Sequence, residues 1–240
     1  MSGKKLIKRE KSVIVACDVE DLQFFRKIVE TTCKIDGVGG YKIGSILVAK
    51  YGILNVLDSI KRFTNLPVIY DHQKGGTDIP ELGPKFAEVL KDVDGVILFP
   101  FGGPETQKKW TEALQEKGIR VLIGGHMTQK KFLSSEGGYI NENAPEKIYQ
   151  LGAKMGVQDF IVPGNKIEIV AKYKGLLDKI LGPGNFTLYA PGFIKQNGII
   201  SETARVAGNN WHAIVGRAIY KDKDTEVIEV ATRWIVSQIV

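Results

Sequence analysis

The sequence alternates short, β-branched apolar runs with longer amphipathic segments, eight times in one uninterrupted series. The apolar runs fall at 12–18 (SVIVACD), 38–44 (VGGYKIG), 67–73 (PVIYDHQ), 95–100 (GVILFP), 120–123 (RVLI), 159–162 (DFIV), 186–190 (FTLYA) and 211–216 (WHAIVG). Between them apolar residues recur at helical spacing, as Leu22, Phe25, Ile28 and Val29 do within 21–33. The other helical segments are 46–63, one starting near Ile79 and Pro80, then 105–116, 144–155, 166–180, 201–206 and 224–239. Strands alternating with helices predict a parallel sheet. Eight such units in 240 residues predict a (β/α)8 TIM barrel, one α/β domain over 1–240. A doubly wound open sheet needs a Gly-rich turn after its first strand, and here that turn is Val19-Glu20-Asp21.

Composition matters mainly for what it removes. Apolar residues make up 43% of the chain and charged residues 25%, which excludes disordered and fibrous classes. The formal charge of +6 favours anionic partners, but the cations are spread along the chain, so no nucleic-acid partner is expected. The one basic cluster, Lys4, Lys5, Lys8, Arg9 and Lys11, reads as a flexible, solvated tail over 1–11. Cys17 and Cys33 read as free thiols of a reducing compartment, and with His72, His126 and His212 scattered no metal site is expected. No apolar run approaches the ~18 residues that span a bilayer, and the N-terminus carries no apolar leader core, so the expectation is a cytoplasmic protein without a membrane partner.

In a barrel of this kind the chemistry sits at the C-terminal ends of the strands. The polar residues there are Asp18 on the first strand, Lys42 on the second, Asp71, His72, Lys74 and Asp78 on and after the third, and Thr128 after the fifth. Lys42, Asp71, Lys74 and Asp78 are expected to converge at one mouth. So many charges are costly to desolvate unless paired, and the array reads as a proton-transfer or charge-stabilising site in which a lysine flanked by carboxylates acts as general acid. The loops after the last two strands read as a phosphate cradle. Gly192 and Gly216 allow close backbone approach, Arg217 supplies a planar fork, and Gln196 a further donor. The polar stretch 124–143 is either a lid over the site or partly disordered surface.

With those positions in hand, a resemblance emerges. Ala16-Cys17-Asp18, Tyr41-Lys42-Ile43-Gly44, Asp78-Ile79-Pro80, Met127-Thr128, the Pro191-Gly192-x-x-x-Gln196 spacing and Val215-Gly216-Arg217-Ala218-Ile219-Tyr220 resemble the orotidine 5′-monophosphate decarboxylases, in order along nearly the whole chain. The resemblance implies a cofactor-free, metal-free homodimer that converts orotidine 5′-monophosphate to UMP. By it, Asp18 holds a ribose hydroxyl, Lys42 bonds the ribose and the neighbouring carboxylate, and Asp71 faces the substrate carboxylate. Lys74 protonates C6, and Asp78 reaches the partner's site. Thr128 stands where the family has a serine for the pyrimidine, and Gln196 and Arg217, in the loops of Pro191-Gly192 and Gly216, bind the 5′-phosphate.

One spacing departs from that pattern. The family has D-x-K-x-x-D, whereas 71–78 reads D-x-x-K-x-x-x-D. In an extended strand residues three apart lie on opposite faces, so Asp71 and Lys74 converge only across a bulge or turn; otherwise His72 or Gln73 takes a place in the site. Two rival readings stay open: a Mg-dependent hexulose-phosphate synthase or ketogulonate-phosphate decarboxylase, against which Lys42 argues by opposing a metal, and a non-catalytic barrel that binds nucleotide phosphate.

Overall fold

The computed structural model describes residues 5–72, 76–193 and 199–239. Eight parallel strands close into a barrel in chain order: β1 (Lys11–Cys17), β2 (Val38–Gly44), β3 (Val68–Asp71), β4 (Gly95–Leu98), β5 (Arg120–Gly124), β6 (Asp159–Ile161), β7 (Thr187–Pro191) and β8 (Trp211–Val215), with β8 paired back onto β1. The surrounding helices are α1 (Leu22–Thr32), α2 (Ser45–Tyr51), α3 (Ile53–Lys61), α4 (Gly83–Val89), α5 (Pro104–Glu116), α6 (Ala144–Lys154), α7 (Ile167–Leu181), α8 (Ile200–Ala207) and α9 (Thr225–Ser237). Local chemistry explains the helix starts. Asp21 and Asp224 cap α1 and α9 by accepting from backbone amides, and α5 opens on Pro104, whose missing N–H is not needed there.

Three expectations need correcting. The helix expected over 46–63 is two helices, because Gly52 adopts φ 76°, a left-handed conformation that breaks the helical hydrogen-bond series. The helix near Pro80 begins as a 3₁₀ turn over Pro80–Leu82 before α4. The described residues ahead of β1 are not a solvated tail. Ile7 is 3% exposed and joins the apolar cluster inside the barrel, Leu6 packs against Gly95 at the start of β4, and Lys5 donates to Asn210 at 3.0 Å. The apolar residues within the basic cluster thus plug the N-terminal end of the barrel, and burying them outweighs the freedom of the segment.

Strand alternation divides the core into two layers. Val13, Val15 and Cys17 of β1 face outward, in the same apolar layer as Phe25, Ile28, Trp110, Tyr149 and Leu177 of the surrounding helices. Ile14 and Ala16 face inward with Ile69, Ile97, Leu122, Ile161, Tyr189 and Ile214. Lower in the barrel the buried polar groups satisfy one another. Ser12 Oγ lies 2.8 Å from His212 Nδ1, Tyr189 donates to Asp159 at 3.0 Å, and Asp159 accepts from Arg120 at 2.9 Å. Burial lowers His212 to about 3, so it is neutral. These groups hold the barrel's lower end, and the chemistry is left to the opposite mouth.

Candidate active site

The side-chain period of two sets the site. From Ile14 and Ala16 on the inner face the next inward position is Asp18; from Ile69 it is Asp71; Lys42 lies between the outward-facing Tyr41 and Ile43. Lys42 is level with Ala16 and Ile69 in the sheet, so its chain starts one inward step below both carboxylates and rises between them. Its ammonium donates to Asp18 Oδ1 at 2.8 Å and to Asp71 Oδ2 at 2.7 Å. Asp18 comes this close because Gly44 is bare: a Cβ there would lie 2.7 Å from Asp18 Oδ1.

The triad is graded in burial. The side chains of Lys42 and Asp71 are 7% and 10% exposed, whereas Asp18 is 51% exposed. Burial alone would lower the Lys42 pKa, but the carboxylates of Asp71 and Asp18 outweigh it and hold the ammonium above the ordinary lysine value. Asp71 Oδ1 is buried without a hydrogen-bond partner among the described residues. One oxygen of the most buried carboxylate is therefore left unused beside the cavity.

That cavity is lined by the charged triad, by Pro191, Gly192, Gly216 and Arg217, and by Thr128 with the apolar Ile97, Phe99 and Ile161. Gly192 has φ 109°, a conformation closed to most side chains. Arg217 is exposed and makes no ion pair among the described residues. Of the array expected from sequence, Lys42 and Asp71 line this cavity, together with Asp18, and of the expected cradle Gly192, Gly216 and Arg217 do. Asp78 does not join them: it is exposed, lies outside the lining, and caps its own turn by accepting from Ile79 N at 2.7 Å. Lys74, Gln73 and Gln196 lie outside the described residues.

His72 is not in the site. The His72 amide donates to the Tyr70 carbonyl at 3.1 Å, so the chain turns at Asp71, and the imidazole stacks on Tyr70, Phe86 and Trp110 at 5.3, 4.8 and 6.0 Å between ring centroids. Burial lowers its pKa, with Asp71 opposing.

Sequence reasoning missed His126. It is 1% exposed and lines the cavity next to Met127 and Thr128. Burial first, then the Lys166 charge, lowers its pKa to about 4. No spacing signals this residue, because its partners, Tyr173 and Lys166, are 47 and 40 positions away. The 124–143 stretch is a folded loop rather than disordered surface. It contains a 3₁₀ turn over Ser134–Glu136, a bridge between Leu133 and Ile140, and a buried Phe132.

Among the described residues no helix is long and apolar enough to cross a membrane. Orotidine 5'-phosphate decarboxylase of Methanococcus maripaludis is 28% identical over 225 residues, 93% of this chain and 94% of the relative. That of Methanocaldococcus jannaschii is 28% identical over 216 residues, 88% and 92% of the two chains. Among solved structures, orotidine 5'-monophosphate decarboxylase from Methanocaldococcus jannaschii complexed with inhibitor BMP superposes with a TM-score of 0.81 at 24% identity, covering 96% of this chain and 99% of that one. The enzyme from Pyrococcus horikoshii does so with a TM-score of 0.73 at 21% identity, covering 95% and 99%. A family model described as "Orotidine 5'-phosphate decarboxylase / HUMPS family" matches residues 11–230, and the chain belongs to that family.

Proposed function

We propose that this protein decarboxylates orotidine 5′-monophosphate to UMP in pyrimidine biosynthesis. The observation that carries the reading is the Asp18–Lys42–Asp71 array, buried at Lys42 and Asp71, in one cavity with the Gly192–Arg217 cradle. In the reaction the bond from C6 to the carboxylate breaks, CO2 departs, and the electron pair remains on C6. The ammonium of Lys74 gives its proton to C6, and the neutral amine recovers one from solvent. A cation fixed beside C6 gains interaction energy as negative charge grows there, so it favours the transition state over the ground state. Asp71, with Oδ1 unpartnered among the described residues, faces the substrate carboxylate, and departure of CO2 relieves that opposition.

Remote contacts supply the binding energy. Arg217 and Gln196 take the 5′-phosphate, Thr128 the pyrimidine, and Asp18 and Lys42 the ribose. We further propose that the protein acts as a homodimer in which Asp78, exposed and outside its own cavity, serves the partner's site. Against the Mg-dependent sugar-phosphate reading stands the position of Lys42, whose ammonium fills the space between the two carboxylates that a divalent cation would use. Purified protein in EDTA should turn over orotidylate, followed by the loss of its absorbance. EDTA-sensitive activity on a hexulose phosphate would favour the Mg-dependent reading, and UMP binding without turnover the non-catalytic one.

A further inference from the structure

The turn carrying Thr128 is fastened from outside by two consecutive residues. Asn165 Nδ2 donates to the Thr128 carbonyl at 3.1 Å. Lys166, just ahead of α7, places its ammonium 3.1 Å from His126 Nε2, 3.4 Å from the Gln129 carbonyl and 3.4 Å from Glu136 Oε1. The β6–α7 connection therefore holds the residues on both sides of Met127-Thr128 as well as Thr128 itself. An ammonium can only donate, so His126 Nε2 is the acceptor and Nδ1 carries the proton, which it donates to the Tyr173 hydroxyl at 2.9 Å. Glu136 in turn accepts from the Phe132 amide at 3.0 Å, closing a ring of contacts around the loop. The Thr128 side chain itself makes no hydrogen bond among the described residues, although it lines the cavity.

We propose that Asn165, Lys166 and His126 are positioning residues that hold Thr128 at the height of a ligand's base, and so set affinity for the base portion of the nucleotide independently of its phosphate. The identity of that ligand rests on the proposed decarboxylase function; the fastening of the loop does not. Anion binding belongs to Arg217 across the cavity, so loosening the Thr128 turn separates the two contributions.

The test uses Lys166→Met, Lys166→Arg and Asn165→Ala in the full chain. Lys166 is only 20% exposed, and Met keeps an apolar stem of similar length, so the substitution removes the ammonium and retains most of the packing. Amide hydrogen exchange over 126–136 should speed up about tenfold in Lys166→Met with the strands unchanged, and Lys166→Arg should restore protection. UMP affinity should fall about tenfold in Lys166→Met and Asn165→Ala, while ribose 5-phosphate affinity stays within about twofold. With orotidylate the loss should fall mainly on KM. Unchanged exchange over 126–136, or equal weakening of both ligands, overturns the proposal. If the unaltered protein neither turns over orotidylate nor binds UMP, the functional reading fails, and the exchange measurement alone still decides whether the clamp exists.

Discussion

Lys42→Met removes one charge from a site built of three, and the geometry sets the magnitude. Asp71, 10% exposed, keeps its negative charge but loses its only cation among the described residues. Its second oxygen has no partner among the described residues. Breaking a buried pair from one side costs about 3–5 kcal/mol, because the remaining charge is desolvated and uncompensated. Asp18 is half exposed, so water replaces most of what it loses, and its share is about 0–1 kcal/mol. The expected loss at pH 7 is therefore about 3–5 kcal/mol, a large fraction of the ~5–15 kcal/mol that holds a typical domain together. The sign with pH follows. Lys42 is raised above its ordinary value of 10.5, so in the native protein its stabilisation is fully present below that pH and is lost only as pH rises through the folded value. From pH 7 to 9 the ammonium stays charged in the native protein, so the expected loss is the same at both values. Urea unfolding at both pH values measures this. Lys42→Met/Asp71→Leu, which removes the buried pair whole, should regain most of the loss. A loss under about 1 kcal/mol at pH 7, or one that falls away by pH 9, would refute the argument that the array is a strongly coupled buried network.

The remaining predictions concern activity. Lys74→Ala should abolish orotidylate turnover and leave UMP binding measurable; near-normal kcat would remove Lys74 as the proton donor. Arg217→Ala should weaken UMP binding by about 1.5–3 kcal/mol, the worth of a hydrogen bond to a charged group, read by calorimetric titration; unchanged affinity would exclude it from the cradle. Mixing inactive Lys74→Ala and Asp78→Asn proteins should restore roughly one quarter of native activity, because half of randomly formed two-fold dimers are mixed and each carries one intact site. No recovery after subunit exchange would place Asp78 outside the partner's site.

The strands were legible because each is a β-branched run bounded by polar or glycine residues, and the same alternation that buries Ile14, Ala16 and Ile69 aims Asp18 and Asp71 at the mouth. Period two carries inward direction from core to site, so three charged residues on three strands could be placed together from sequence. The errors arise where that periodicity stops. The basic residues of 5–11 disguise a buried Ile7, since charge composition is visible in the chain and the hole that Ile7 fills is not. The polar 124–143 stretch hides a folded loop because its order comes from Lys166, His126 and Phe132 meeting across the fold, not from local pattern. Asp78 is expected at the mouth by proximity to Asp71, yet its carboxylate accepts from Ile79 N in its own turn, just ahead of the 3₁₀ start at Pro80.

The irregular spacing at β3 is resolved by the same reasoning. The objection to pairing Asp71 with a residue three positions on assumes that the strand continues, because only then does alternation send the two to opposite faces. It does not continue. β3 ends at Asp71, and the hydrogen bond from the His72 amide to the Tyr70 carbonyl folds the backbone at that residue. His72 is spent on the outside, fixed in a stack with Tyr70, Phe86 and Trp110. The chain is anchored again at Gly76, whose carbonyl accepts from Gly102 at 3.3 Å and where a Cβ would lie 3.1 Å from Pro100, just past the end of β4. Both anchors flank the same rim of the barrel. Past Asp71 the face rule therefore no longer applies, so the longer spacing is not by itself an argument against Lys74 as the acid.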